Sequence, residues 1–143
     1  NQASYDLALS NEFWIPLKAR ETIDIKETTD PNKYMKKVIR KTLVLKPGEF
    51  CHALTAEKIT LSNKLIGILG GRSRFARLGV TIHITSAVVQ PGSDNRQILE
   101  IVNLSPFTLK LHEGVRFSQI FFERLESETD KPYNKYGRIA IKQ

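Results

Sequence analysis

The feature that most constrains this chain is its punctuation: short apolar or alternating runs recur along 143 residues, and turn chemistry separates most of them. Strand period appears at Tyr5, Leu7 and Leu9 and again over residues 22–25. Residues 13–17 continue the first run with Pro16 inside it, which marks an edge or bulged strand because proline donates no ladder hydrogen bond. Residues 42–45, the Pro47-Gly48 turn and residues 50–54 form a hairpin signal. After a turn at Ser62-Asn63, strand-like runs follow at 65–69, 80–84, 88–89, 97–102, 108–111 and 115–122. Turns at residues 91–95, Ser105-Pro106 and Glu113-Gly114 separate the later ones. About ten short strands with at most one short helix predict an all-β fold, an antiparallel sandwich or a distorted jelly-roll barrel.

One domain is expected, since a chain of this length suffices for a single core, and no repeat, heptad or low-complexity segment divides it. At 41% apolar and 26% charged residues the composition is that of an ordinary globular protein. No apolar run approaches the ~18 residues that a membrane helix needs, and no charged-then-apolar leader opens the chain. A cytoplasmic protein with no membrane partner is therefore expected. The chain opens on Asn1 rather than Met, so something is expected to precede it. Cys51 is the single cysteine, which excludes an internal disulfide; with His52, His83 and His112 it offers no zinc-ligand spacing. Catalysis through a protein-bound zinc is not expected.

A net charge of +7 and a pI near 9.6 favour an anionic partner. The densest cluster, Lys33, Lys36, Lys37, Arg40 and Lys41, has only Tyr34 as a stacking ring. It reads better as a solvated loop or hairpin arm than as a nucleic-acid surface. A nucleoside triphosphate would answer the same charge. After the run at 65–69 a Gly-Gly pair introduces Arg72, Ser73, Arg74 and Arg77. RSRFAR has the length of about two helical turns, with Ser73, Ala76 and Arg77 sharing a face. Cations beside exposed N–H groups at a helix start suit a phosphate; the alternative is a solvated basic turn. Glu100 stands out inside QILEIV, where strand period puts Ile98 and Val102 on its face. Burial of a carboxylate is costly unless it is paired, and burial moves such a group toward the range useful for proton transfer. An outward glutamate, or one paired structurally with an arginine, would fit the same pattern. His83, among apolar neighbours, reads as a hydrogen-bonded core or interface histidine, and Asn103-Leu104-Ser105, followed by Pro106, is disregarded as a glycosylation acceptor.

Seven segments in order resemble the deoxycytidine triphosphate deaminases, which share their fold with the trimeric deoxyuridine triphosphatases. They are ASYDL (3–7), LKPGEF (45–50), GRSRFARLG (71–79), HITSAVVQPG (83–92), ILEIVN (98–103), HEGVRFSQIFF (112–122) and PYNKY (132–136). The resemblance implies a homotrimeric, distorted jelly roll over residues 1–122, with active sites where subunits meet, and a tail at 123–143 acting as a mobile lid. It also implies deamination of dCTP to dUTP without zinc, unlike the zinc nucleobase deaminases. Glu100 falls on the catalytic glutamate, and Ser73 and Arg77 on residues that hold the triphosphate and the reacting water or base edge, with Arg72 and Arg74 in the same stretch. Ser86 falls in the base pocket, and the backbone of Ile98, Leu99 and Glu100 where the pyrimidine edge is read. Tyr133 and Lys135 match positions that close over the phosphates, and Gln119 one that shapes the site or serves structure. Magnesium is implied on the triphosphate, held mainly by phosphate and water.

The departures from the pattern lie on the sugar and lid side. Gln90 stands where an aspartate is usual, the acid that in the deoxyuridine triphosphatases activates water; an amide cannot act as that base. Ser93 replaces an aromatic ring that packs on the deoxyribose, Arg74 replaces a small residue, and Asp94-Asn95-Arg96 replaces a glycine-containing hairpin. The tail lacks a glutamine at the usual distance after Lys135, and the helical segment usual ahead of ASYDL is not seen. Beside an active deaminase, two readings stay open: a non-catalytic or regulatory nucleotide-binding relative, and a deoxyuridine triphosphatase or bifunctional enzyme. Nucleic-acid binding as the main role is not expected.

Overall fold

In a computed structural model, which describes residues 3–18, 22–82 and 86–136, the first strand joins two sheets. β1 (Tyr5–Pro16) pairs through residues 5–8 with β10 (Arg116–Arg124), then through its later residues with β4 (Phe50–Thr60) and β2 (Met35–Ile39). Register shifts between Leu7 and Ala8 and between Leu9 and Phe13 are bulges. Each bends the strand, which lets β1 leave one sheet and enter the next. The first sheet continues with β5 (Leu65–Gly71) and β7 (Val88–Val89), and the second with β8 (Asp94–Asn103) and β6 (Val80–Ile82). β3 (Thr42–Leu45) and β9 (Leu109–His112) form a separate antiparallel pair. The result is the all-β, jelly-roll-like fold that the strand count predicts.

Strand period decides what is buried. Along β8, Leu99, Ile101 and Asn103 point inward, whereas Ile98, Glu100 and Val102 stay half-buried. Leu99 and Ile101 meet Leu9, Phe13, Cys51 and Ala53 from β1 and β4, and Leu43, Leu45 and Leu111 from the β3–β9 pair close this core. A second cluster gathers Leu7, Leu69, Val89 and Ile120 between the strands of the first sheet. Asn103, fully buried, donates to the Leu45 carbonyl at 3.0 Å and the Phe107 carbonyl at 2.7 Å, and accepts from the Ser105 N–H and hydroxyl. All its hydrogen-bonding capacity is used, so a buried amide pins the turn leaving β8.

Several local expectations change. Residues 22–25 alternate but form no strand; Ile25 is 86% exposed, because alternation without a partner edge stabilises nothing. RSRFAR makes one turn, α1 (Ser73–Ala76), in place of two. Leu78 and Gly79 donate to Phe75 and Ala76, tighter 3-10-type bonds, and Gly79 at φ +79° ends the helix. A second single-turn helix, α2 (Tyr133–Tyr136), and a 3-10 turn at Pro31–Tyr34 were not foreseen by a one-helix reading. The basic segment takes the hairpin-arm form: β2 lies on β1, and Lys37 pairs with Glu12 at 2.5 Å. β10 runs two residues past 122, and the chain after it lies against the body, with Leu125, Thr129 and Tyr133 N–H groups donating to Lys64, Asn63 and Pro91. His83 lies outside the described residues.

Candidate active site

β7, the following turn and β8 enclose a cavity of about 270 Å³. Glu100 reaches it from β8 together with Ile98, and Ser86 and Gln90 reach it from either side of β7. Gly92 at φ +78° turns the chain under it. A Cβ at Gly92 would lie 2.6 Å from Pro132 Cβ, so only glycine lets the tail pack here. Pro132 is consequently buried, the Tyr133 N–H bonds the Pro91 carbonyl at 2.9 Å, and the Tyr133 side chain enters the cavity wall. Burial pushes the Tyr133 phenol above its ordinary pKa, so it remains a neutral donor. Gln90 and Tyr133 also line a neighbouring cavity of about 430 Å³, walled by Ile66, Leu125 and Lys131, so these two side chains divide the two spaces.

Sequence reasoning set Ser93 on the sugar side and Asn95 in the hairpin after it, but missed Gln97. Ser93, Asn95 and Gln97 line the Glu100 cavity, and Ser93 is only 3% exposed. Gln97 Nε2 donates to Asn95 Oδ1 at 2.7 Å, and the Gln97 N–H bonds Thr55 Oγ1 at 2.9 Å. Thr55 in turn donates to the Glu57 carbonyl. This chain of bonds fixes the β4 bulge between Leu54 and Lys58, opposite the start of the Glu100 segment. The wall is thus rich in amides and hydroxyls, with one carboxylate. The signal available in sequence was the polar alternation Ser93, Asn95, Gln97 leading into Ile98, but period alone does not say which face has a cavity beside it.

The basic residues stand elsewhere. Ser73, Arg74 and Arg77 are exposed on or just after α1, which is anchored by Phe75 stacking on Phe117 at 5.0 Å. None of them lines the cavity. Arg72 is bound structurally: it donates to the Arg116 carbonyl at 2.7 Å and pairs with Asp6 at 3.1 Å. Gln119 belongs to the same edge, donating to the Gly71 carbonyl and accepting from Ser4 Oγ. Leu99 has its side chain in the core, so only its backbone can face a ligand. Lys135 is exposed on α2. The sequence-predicted residues therefore fall into two groups: Ser86, Gln90, Ile98, Glu100 and Tyr133 share one cavity, whereas Ser73, Arg72, Arg74, Arg77 and Gln119 do not enter it.

On the sheet face beside the cavity, His52 of β4 lies directly opposite Glu100 of β8 in the antiparallel ladder. Burial pulls the His52 imidazole below its ordinary pKa, while the Glu100 carboxylate opposes that change. Among the described residues no group of three or more His, Cys, Asp or Glu side chains is placed to hold a metal ion. A carboxylate at the mouth of a polar cavity can take a proton from water and return it to a bound substrate.

The family model described as dCTP deaminase-like matches residues 1–125. The chain is 40% identical over 139 residues to the dCTP deaminase of Buchnera aphidicola subsp. Baizongia pistaciae, a match covering 90% of this chain and 72% of that one. It is 34% identical over 140 residues to the dUMP-forming dCTP deaminase of Methanosphaera stadtmanae, covering 95% of this chain and 71% of that one. Its fold is similar to the crystal structure of the Agrobacterium tumefaciens 2'-deoxycytidine 5'-triphosphate deaminase, with a TM-score of 0.67 at 22% identity over 88% of this chain and 40% of that one. EIAV dUTPase has the same kind of fold, with a TM-score of 0.55 at 15% identity over 91% of this chain and 93% of that one. With the family model spanning nearly all of its strands and two such relatives aligned over most of their length, the chain belongs to the dCTP deaminase-like family.

Proposed function

We propose that this chain deaminates dCTP, with Glu100 as the proton-transfer group. The observation that carries the reading is Glu100 at the wall of a polar cavity in a chain whose relatives are named dCTP deaminases. Glu100 takes a proton from water as the hydroxide bonds to cytosine C4, and delivers it to N3. It then moves the hydroxyl proton to the amino nitrogen; the C4–N bond breaks, ammonia leaves, and dCTP and water have become dUTP and ammonia. Ser86 and the backbone of residues 98–100 orient the base, and Tyr133 covers it. Magnesium accompanies the triphosphate, held by phosphate and water oxygens.

The phosphates require cations that the Glu100 cavity does not contain, whereas Ser73, Arg74 and Arg77 stand exposed on or just after α1. A homotrimer in which α1 of one copy faces the cavity of the next would join the two groups. The volume of about 270 Å³ in one copy, just under the ~300 Å³ at which ligand clefts begin, fits a site that another copy completes.

A second reading has a specific observation behind it: the Methanosphaera relative and others at similar identity are named dUMP-forming. Gln90, an amide, is a poor candidate for the base that a phosphorus-directed water would need. Incubation with dCTP and magnesium, followed by nucleotide separation, decides between them. Accumulation of dUTP is expected; dUMP with pyrophosphate would establish the second reading, and unchanged dCTP in a trimeric sample would remove both.

A further inference from the structure

A continuous transverse row crosses the outer face of the second sheet. Lys37 of β2 lies opposite Trp14 of β1, Trp14 opposite His52 of β4, and His52 opposite Glu100 of β8. Directly opposed side chains in antiparallel strands have Cβ atoms about 4.5–5.5 Å apart, so each member is the cross-strand neighbour of the next. Lys37 Nζ sits 5.2 Å from the Trp14 ring centroid, a cation–π contact that steadies the indole. On its own strand His52 is flanked by Phe50, whose ring centroid lies 6.0 Å away. The imidazole thus stands in the row between Trp14 and Glu100, with the Phe50 ring beside it.

We infer that His52 is a positioning residue of Glu100, helping to fix where the carboxylate sits beside the cavity and how readily it takes a proton. The inference rests on the proposed role of Glu100. The charges around His52 leave Glu100 as the one that acts on it. From β1 it meets uncharged Trp14, and the nearby Glu12 is already neutralised by Lys37 and by Arg96, the latter at 2.6 Å. On its own strand the neighbours on this face, Phe50 and Leu54, are apolar. From β8 the two neighbours of Glu100 on its face, Ile98 and Val102, are apolar as well. β6, on the other side of β8, is described as far as Ile82, opposite Ile101. Burial favours neutral His52 while the Glu100 carboxylate favours its imidazolium, and by the same coupling an imidazolium formed on acidification favours the ionised carboxylate.

Two measurements separate this role from simple packing. The first needs no activity: NMR titration of the three histidines in the wild-type protein and in Glu100→Gln. Loss of the carboxylate charge is expected to lower the His52 pKa by about half a unit or more, the size expected for a nearby opposite charge at a partly wet site. An unmoved His52 titration would overturn the inference even if the enzyme proves to be a deaminase. The second compares His52→Gln with the wild type. About a tenfold or larger fall in kcat is expected, of the order seen when a residue orienting an active-site group is removed. KM for dCTP should change little, and the acid limb of kcat against pH should move to higher pH because no imidazolium then opposes Glu100 protonation. A lower Tm with kcat and the acid limb unchanged would make His52 a packing residue only. Absence of turnover in the wild type would sink the deaminase reading while leaving the titration to decide the coupling.

Discussion

Glu100 and Arg77 are both candidates for one reaction, yet the molecule holds them in opposite ways. Glu100 lies in the middle of a ten-residue strand with Leu99 and Ile101 anchored in the core on either side. Its position is set by register, and a one-residue slip would send it inward. Arg77 follows a one-turn helix attached mainly through the Phe75–Phe117 stack and stands in solvent. A long arginine there keeps its rotamer entropy until an anion engages it. Under the proposed function, the contrast means that a single copy preorganises the proton-transfer half of the site and leaves the anion-binding half open, which would suit a site assembled between copies.

The sharpest way to break this comparison is to remove one half at a time. Glu100→Gln keeps the shape and removes the base. We expect ammonia release to drop by about 100-fold or more, with the Tm and oligomeric state of the wild type, because the side chain is not part of the core. Turnover retained in this variant would end the mechanism. Arg77→Ala should act on binding instead. Loss of a charge-assisted hydrogen bond of about 1.5–3 kcal/mol predicts roughly a ten- to hundredfold rise in KM for dCTP. Mixing the two variants under conditions of subunit exchange tests whether the halves meet across copies. About a quarter of the sites in a random mixture would combine an intact Glu100 with an intact Arg77 from another copy. At dCTP well below the KM of Arg77→Ala, a mixture no more active than its parts would mean that each copy works alone.

Gly92→Ala addresses the tail that brings Tyr133 to the cavity. The φ of +78° disfavours any Cβ, and this one would strike Pro132. A loss of about 1–2 kcal/mol is expected from the backbone alone, seen as a lower Tm and faster protease cleavage in residues 125–136. Unchanged cleavage would show that the tail does not depend on this contact.

The smallest effect concerns Glu12, whose carboxyl Lys37 and Arg96 hold below the ordinary value by hydrogen bonding. A carboxyl depressed in the folded state adds stability above its unfolded pKa, and that stability is lost as pH falls through the folded value. Glu12→Gln should therefore flatten the acid side of the Tm–pH curve, by no more than about 1 kcal/mol for so wet a pair. A curve that keeps its full acid slope would assign the loss to other carboxylates. Cys51 offers a control: burial pushes its thiol up to about 12, so it should resist alkylation while the fold is intact.

Much of this was legible in the residues themselves. The turn signals and two-residue period determined the strands, because glycine, proline and buried alternation act locally. QILEIV singled out Glu100 because a carboxylate within an apolar run has few explanations. The segments resembling dCTP deaminases determined the family by order and residue type. Other features needed the folded chain. Residues 22–25 alternate as well as β1 does, but no edge was there to accept them. Ser93, Asn95 and Gln97 became a cavity wall only because β7 and the tail come to lie beside their face of β8. His52, far from Glu100 along the chain, became its neighbour through the β4–β8 register. Such placements are decided by pairing between distant strands. That pairing depends on the sum of many contacts across the sheet, and no local stretch of sequence carries the sum.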